Sequence, residues 1–275
     1  MDRALYLSEK RGLQVRRDGP SVWVTETGKA GRRIPVRLVS RVVIIGNLRV
    51  ESAIVTLFTG HNVPVTFMNR RGEELAVAIP FNHQLPRHYE EQKALLHDEE
   101  NVGRFRQWTC RERRRLQLET IESLSSAAAP IYKSKGFRDR DYDEFIHRYA
   151  MMAGTILQRK LVEGIITGLF REMVVGELLK ADLDPHLVVL HRRHNFGVAL
   201  DICSILEPEI HLQAIQFLRV AKSRSFMLQG PGHDLLSKDG MKDLIHRFEN
   251  KRVAQQARIG AILDGLFELI REVRL

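Results

Sequence analysis

The sequence predicts an α+β fold, with a small N-terminal β-domain over residues 1–80, a linker over 81–90 and a larger all-α part over 91–275. Three observations carry this. Short β-branched or alternating runs fill the first eighty residues, with turn residues between them. Prolines then flank an irregular stretch, PFNHQLPRHY, at 80–89. From Tyr89 onward apolar residues recur at helical rather than alternating spacing.

The strands expected in order are ALYLSE, LQVRR, SVWVTE, RIPVRLV, RVVIIG and VPVTFM. Asp18-Gly19-Pro20, Gly28, Gly46-Asn47, Gly60-His61-Asn62 and Arg71-Gly72 mark the turns between them. Val50–Phe58 reads as a short helix packed between strands. Beyond the linker, Gln107–Leu124 predicts one helix, and Tyr142–Lys180 one very long helix or two abutting ones. Ile210–Lys222 and Met241–Arg274 follow. Leu161, Ile165, Ile166, Leu169, Met173 and Leu178 fall at helical spacing and should face a core. Ser125–Pro130 reads as a bend or a helix start, because proline is tolerated only in the first turn. Mixed charge around Gly136 suggests an exposed loop, and LQGPGHD at 228–234 a flexible one without the context of a phosphate loop.

Composition narrows the function. The 275 residues carry 43 basic and 34 acidic side chains, a net charge of +9. That surplus suggests a polyanionic partner, since lysine and arginine displace counterions condensed on phosphates. No apolar run is long enough for a membrane span, and MDRALYLSEKRG lacks the apolar core of a signal peptide. Cys110 and Cys203 form neither a CxxC nor a zinc pattern. A protein that stays inside the cell is expected.

The positive charge is clustered. GRFRQWTCRERRR holds Arg104, Arg106, Arg111, Arg113, Arg114 and Arg115, which read either as a phosphate-tracking stripe or as a solvated helix face. YKSKGFRDRDYDE mixes Lys133, Lys135, Arg138 and Arg140 with aspartates. Arg192 and Arg193 follow His191, while Lys222 and Arg224 close a later helix. Between them, LDPHLVVLHRRHNFGVALDICSILEPE puts His191 and Asp201 near the two ends of a basic loop. Such a pair can share a divalent cation with a carboxylate from another helix, or simply satisfy one another's hydrogen bonds. His194 is a further candidate ligand or an exposed loop residue.

Four stretches together carry a resemblance. LYLSEKRGLQVRRDG, RRIPVRLVSRVVIIGN and VPVTFMNRRG come first; LDPHLVVLH is similar to GLDPxLGxLH; VALDICSILEP is similar to LALDLMEEFRP; and FMLQGPGHDLLSKDGMKDLIHRFENK resembles an LLSxEGxxxLIxxYE tail. In this order they resemble the CRISPR-associated endonuclease/integrase that inserts new spacers into CRISPR arrays. The resemblance implies a dimerising N-terminal β-domain and a helical domain holding Mg²⁺ or Mn²⁺. It also implies a homodimer that binds double-stranded DNA and flanks a small ferredoxin-like CRISPR-associated subunit. The expected metal ligands are a glutamate, a histidine and an acidic residue. His191 falls on the histidine, but Ser204 stands at the acidic position. SSAAAPIY, set against EGxAAxxYF, puts Ser125 on the glutamate. Val188 and Glu207 are lesser departures, from a glycine and an arginine. A hydroxyl is a poor substitute for carboxylate on a hard cation. The expectation is therefore a family member with a degenerate metal site, serving as a scaffold or supporting an active relative. The alternative is an active integrase in which Glu144 or Asp201 rebuilds the site.

Overall fold

The computed structural model describes residues 3–81, 85–191, 194–221, 226–230 and 233–274. It divides into two compact units, Met1–Gln84 and Leu85–Leu275.

The first unit contains β1 (Arg3–Ser8), β2 (Gln14–Asp18), β3 (Ser21–Thr25), β4 (Arg32–Pro35), β5 (Val39–Ile45), α1 (Ser52–Thr59), β6 (Val65–Met68) and β7 (Glu74–Ala78). β2, β3 and β4 form an antiparallel sheet, and the remaining strands lie in the order β1-β5-β6-β7. β5 pairs in parallel with both β1 and β6, in register Leu5↔Val42 and Val42↔Val65. A central parallel strand is covered on both faces, which explains the continuous apolar run VVII. α1 supplies the crossover from β5 to β6. Val22, Val36, Val42, Ile54, Phe58 and Val65 form the centre of this core.

Two details correct the sequence reading. RIPVRLV is not one strand: β4 ends at Pro35, Val36–Leu38 form a 3-10 turn, and Val39 opens β5. Proline lacks the N–H that would extend the ladder. β7, ELAVA, was not anticipated; it is a short strand paired only with β6, so only weak alternation marks it.

The second unit is mostly helical. It holds α2 (Tyr89–Lys93), α3 (Glu99–Leu124), α4 (Ala129–Lys135), α5 (Asp139–Ala153), α6 (Ile156–Lys180), α7 (Gly197–Ala221), β8 (Met227–Gly230), β9 (His233–Leu236), α8 (Lys238–Asn250) and α9 (Arg252–Arg274). α3 starts well before Gln107, where the Asp98 carboxylate caps the Asn101 N–H at 2.7 Å. Pro130 sits in the first turn of α4. The Tyr142–Lys180 segment breaks at Gly154, and Thr155 with Gln158 forms a capping box that restarts it as α6. Ile165, Ile166, Leu169, Met173 and Leu178 are buried, and Leu161 is half-buried.

Three further corrections follow. α7 starts at Gly197 rather than Ile210 and runs through Pro208. That helix packs against α3 and α6 and buries most of its length, so tertiary contacts outweigh the proline's local cost. The Thr120 hydroxyl donates to the Pro208 carbonyl at 3.1 Å. The stretch expected as a flexible loop instead forms β8 and β9, paired antiparallel with Met227 opposite Leu236. Met241–Arg274 is two helices, separated at Lys251. Among the described residues no helix is long and apolar enough to cross a membrane.

Candidate functional site

His191 is positioned by the start of α7. Gly197 lies against the segment that precedes the histidine, and the Val198 N–H donates to the Leu187 carbonyl at 2.7 Å. A Cβ on Gly197 would stand 2.7 Å from Val188 Cα and 2.8 Å from Leu187 O, so only glycine permits this approach. One turn further on, Asp201 is fully buried. Its carboxylate accepts the Leu190 N–H at 3.3 Å and a hydrogen bond from His191 Nδ1. Burial raises the Asp201 pKa, while the His191 and Leu190 hydrogen bonds oppose that rise. The imidazole remains 39% exposed, and Nε2 is the nitrogen left for a further partner.

The serines are placed differently. Ser204 sits on α7, half-buried, and its hydroxyl donates to the Asp201 carbonyl at 2.6 Å. Ser125 ends α3, with its N–H donating to Ile121 O at 2.7 Å. Glu144 lies on α5 and pairs with Arg140 at 2.9 Å on an exposed face. Among the described residues no three of His, Cys, Asp and Glu are grouped to hold a metal ion. A divalent magnesium or manganese ion demands charged oxygen ligands, whereas His191, Ser125 and Ser204 present an imidazole and two neutral hydroxyls. This donor set does not fit such a cation.

The arginine run on α3 separates by helical phase. Arg104, Arg111 and Arg115 share one exposed face at i, i+7 and i+11. They also contact glutamates of their own helix: Glu100 at 2.7 Å, Glu112 at 3.5 Å, and Glu112 and Glu119 at 3.1 and 2.9 Å. Arg106 is exposed, and Arg114 rests over the Phe137 ring at 5.2 Å. Arg113 turns inward to an ion pair with Glu207. In the second cluster, Lys133, Arg138 and Arg140 meet Glu122, Asp141 and Glu144. Arg192, Arg193, Lys222 and Arg224 lie outside the described residues.

The comparisons with known proteins bear on this arrangement. The profile of the family described as CRISPR associated protein Cas1 matches residues 5–140. Those residues carry a Cas1-family domain. Several solved structures share the fold at low identity. A Cas1 protein from Thermotoga maritima aligns with TM-score 0.76 at 13% identity, over 98% of this chain and 97% of its own. A casposase bound to integration product aligns with TM-score 0.70 at 14% identity, over 91% and 82%. A chain of a Cas6-RT-Cas1–Cas2 complex aligns with TM-score 0.71 at 12% identity, over 98% of this chain and 35% of that one. No curated protein sequence matches significantly. The Cas1 match takes in the arginine run and Ser125, and ends before His191, Asp201 and Ser204.

The helical unit also holds a buried polar cluster that sequence reasoning missed. The Tyr142 hydroxyl lies 3.3 Å from His211 Nδ1, and His211 Nε2 lies 3.9 Å from Glu163, whose carboxylate is 3.4 Å from Arg159 Nε. Burial pushes Glu163 up to about 7, with Glu207 adding to the rise and Arg159 opposing it. Burial pushes His211 down to about 4, reinforced by Arg159 and Arg113. The one signal was a lone ionisable residue inside each of two apolar runs, LVEGII and IHLQAI.

The two groups act oppositely on stability. A raised carboxyl pKa favours folding fully below pH 4.5, and this support is lost as pH rises through about 7. A lowered histidine pKa supports folding above about 6.5, and this support is lost as pH falls through about 4. Glu163→Gln should remove the first slope and expose the second. Denaturant titrations should then show stability rising from pH 4 to 6.5, and the variant about 2 kcal/mol more stable than wild type at pH 8.

Proposed function

We propose that this chain is a DNA-binding scaffold of the CRISPR spacer-acquisition machinery, a homodimer in the prokaryotic cytoplasm that joins no DNA itself. The observation that carries the reading is serine at both positions where the family resemblance expects an acid, with the Ser204 hydroxyl already given to the Asp201 carbonyl. The net charge of +9 and the Arg104, Arg111 and Arg115 face support double-stranded DNA as ligand. The shared fold of a casposase bound to integration product, and of a chain in a Cas6-RT-Cas1–Cas2 complex, supports a place beside DNA and a small ferredoxin-like Cas2 subunit. An active relative would supply the catalysis.

The deciding experiment offers a labelled duplex with free 3′-hydroxyls, a supercoiled target and Mg²⁺ or Mn²⁺ to wild type and to His191→Ala. DNA binding without joined product is the expected result for both. Metal-dependent product from wild type, lost in the variant, would overturn the proposal. Light scattering should give twice the 31.7 kDa chain mass.

Arg104→Ala, Arg111→Ala and Arg115→Ala test the DNA face. Each should weaken binding uniformly across sequences and reduce the slope of log affinity against log salt by about 1. Charge-neutral behaviour of all three would show that their glutamate partners already satisfy them.

A further inference from the structure

We infer that the α5–α6 corner is a docking site for an acidic amphipathic segment of a protein partner. Met151, Met152, Ile156 and Leu157 are 51%, 63%, 47% and 62% exposed. All four fall within the seven residues where α5 ends and α6 begins. Single exposed apolar side chains are ordinary, but four large ones at one corner form a patch of the kind that marks an interaction site. Two methionines give such a surface side chains that adapt to a partner's shape.

The corner is preformed. Gln158 N–H donates to Thr155 Oγ1 and Thr155 N–H to Gln158 Oε1, both at 3.2 Å. Behind it, Leu218 of α7 stands 3.6 Å from where a Cβ on Gly154 would be. A rigid apolar surface loses little entropy on binding.

Charge selects the occupant. Residues 145–162, FIHRYAMMAGTILQRKLV, contain no acidic side chain. Arg148 and Lys160 are exposed within that stretch, and Arg219 is exposed with its guanidinium over Tyr149 at 5.6 Å. None of these three is within ion-pair distance of a carboxylate among the described residues. A second copy would set this cationic rim against itself. DNA would place phosphates over apolar side chains and desolvate them without pairing. A segment with an apolar stripe flanked by glutamate or aspartate matches both features, in the manner of a helix laid on an apolar surface. The inference is independent of the DNA face on α3.

The test uses the full chain and two labelled synthetic peptides of about four helical turns, each with a leucine stripe, one rimmed by glutamates and one by lysines. Fluorescence anisotropy should show the glutamate peptide binding, more weakly at high salt, and no binding of the lysine peptide. Met152→Ser with Leu157→Ser should weaken binding at least roughly tenfold. Arg148→Glu with Lys160→Glu should do the same and admit the lysine peptide instead. Melting curves and DNA binding of both variants should match wild type. Equal binding of the two peptides, or no binding of either, overturns the inference. So does self-association that the serine variant abolishes, or phosphatidylserine vesicle binding that it abolishes while the peptide stays unbound.

Discussion

Ser125→Glu combined with Ser204→Asp is expected to give this chain a Mn²⁺ affinity at least about a hundredfold above wild type. His191 is held by the buried Asp201 carboxylate through Nδ1, which leaves Nε2 as the nitrogen that an added metal would meet. A carboxylate behind a histidine is the usual support of a metal ligand, and it is intact. What the site lacks is negative charge, and a hard cation takes its binding energy chiefly from charged oxygens. Among the described residues the Ser204 hydroxyl bonds to a carbonyl of its own helix, so its replacement breaks no link between elements. Each single variant should bind more weakly than the double. Calorimetry or Mn²⁺ paramagnetic resonance reads the result, and metal-dependent joining of 3′-hydroxyl ends is the functional counterpart. No gain in the double variant would mean that Ser125 or Ser204 does not occupy a ligand position.

Gly197→Val should be the most damaging single change near the site. The new Cβ would meet backbone on two sides, Val188 Cα and Leu187 O, and backbone cannot rotate away as a side chain can. The segment carrying His191 would have to move off α7, breaking the Val198–Leu187 hydrogen bond. His191 would then separate from Asp201, leaving a buried carboxylate without its main partner. A loss of about 3 kcal/mol or more is expected, several degrees in thermal midpoint. The disappearance of the downfield His191 Nδ1 proton signal would show that the site moved with it. Gly197→Ala should show the same effects in milder form, since its single methyl meets the same atoms.

Much of this was legible in the chain. The β-to-α change of period near Pro80, the first-turn place of Pro130 and the pairing of His191 with Asp201 follow from local rules of spacing and hydrogen bonding. Other features were hidden for definite reasons. The Asp98 cap has no mark in the periodicity, because the charged run after it carries few apolar residues. Pro208 suggested a helix boundary, yet α7 lies between α3 and α6, and burial over its length outweighs one missing hydrogen bond. The arginine run reads from sequence either as a phosphate-tracking stripe or as a solvated helix face. Phase around α3 sends Arg113 to Glu207, rests Arg114 on Phe137 and leaves Arg104, Arg111 and Arg115 on a face shared with glutamates.

The order of residues by itself determined the α+β class, the family resemblance and the two serines, because those depend on periodicity and on identity at given positions. Only the tertiary structure decided that Asp201 is buried behind His191, that Glu163 and His211 meet under Tyr142, and that four apolar side chains stay outside at the α5–α6 corner. Burial and proximity between distant elements set these outcomes, and neither is a property of any local stretch of chain.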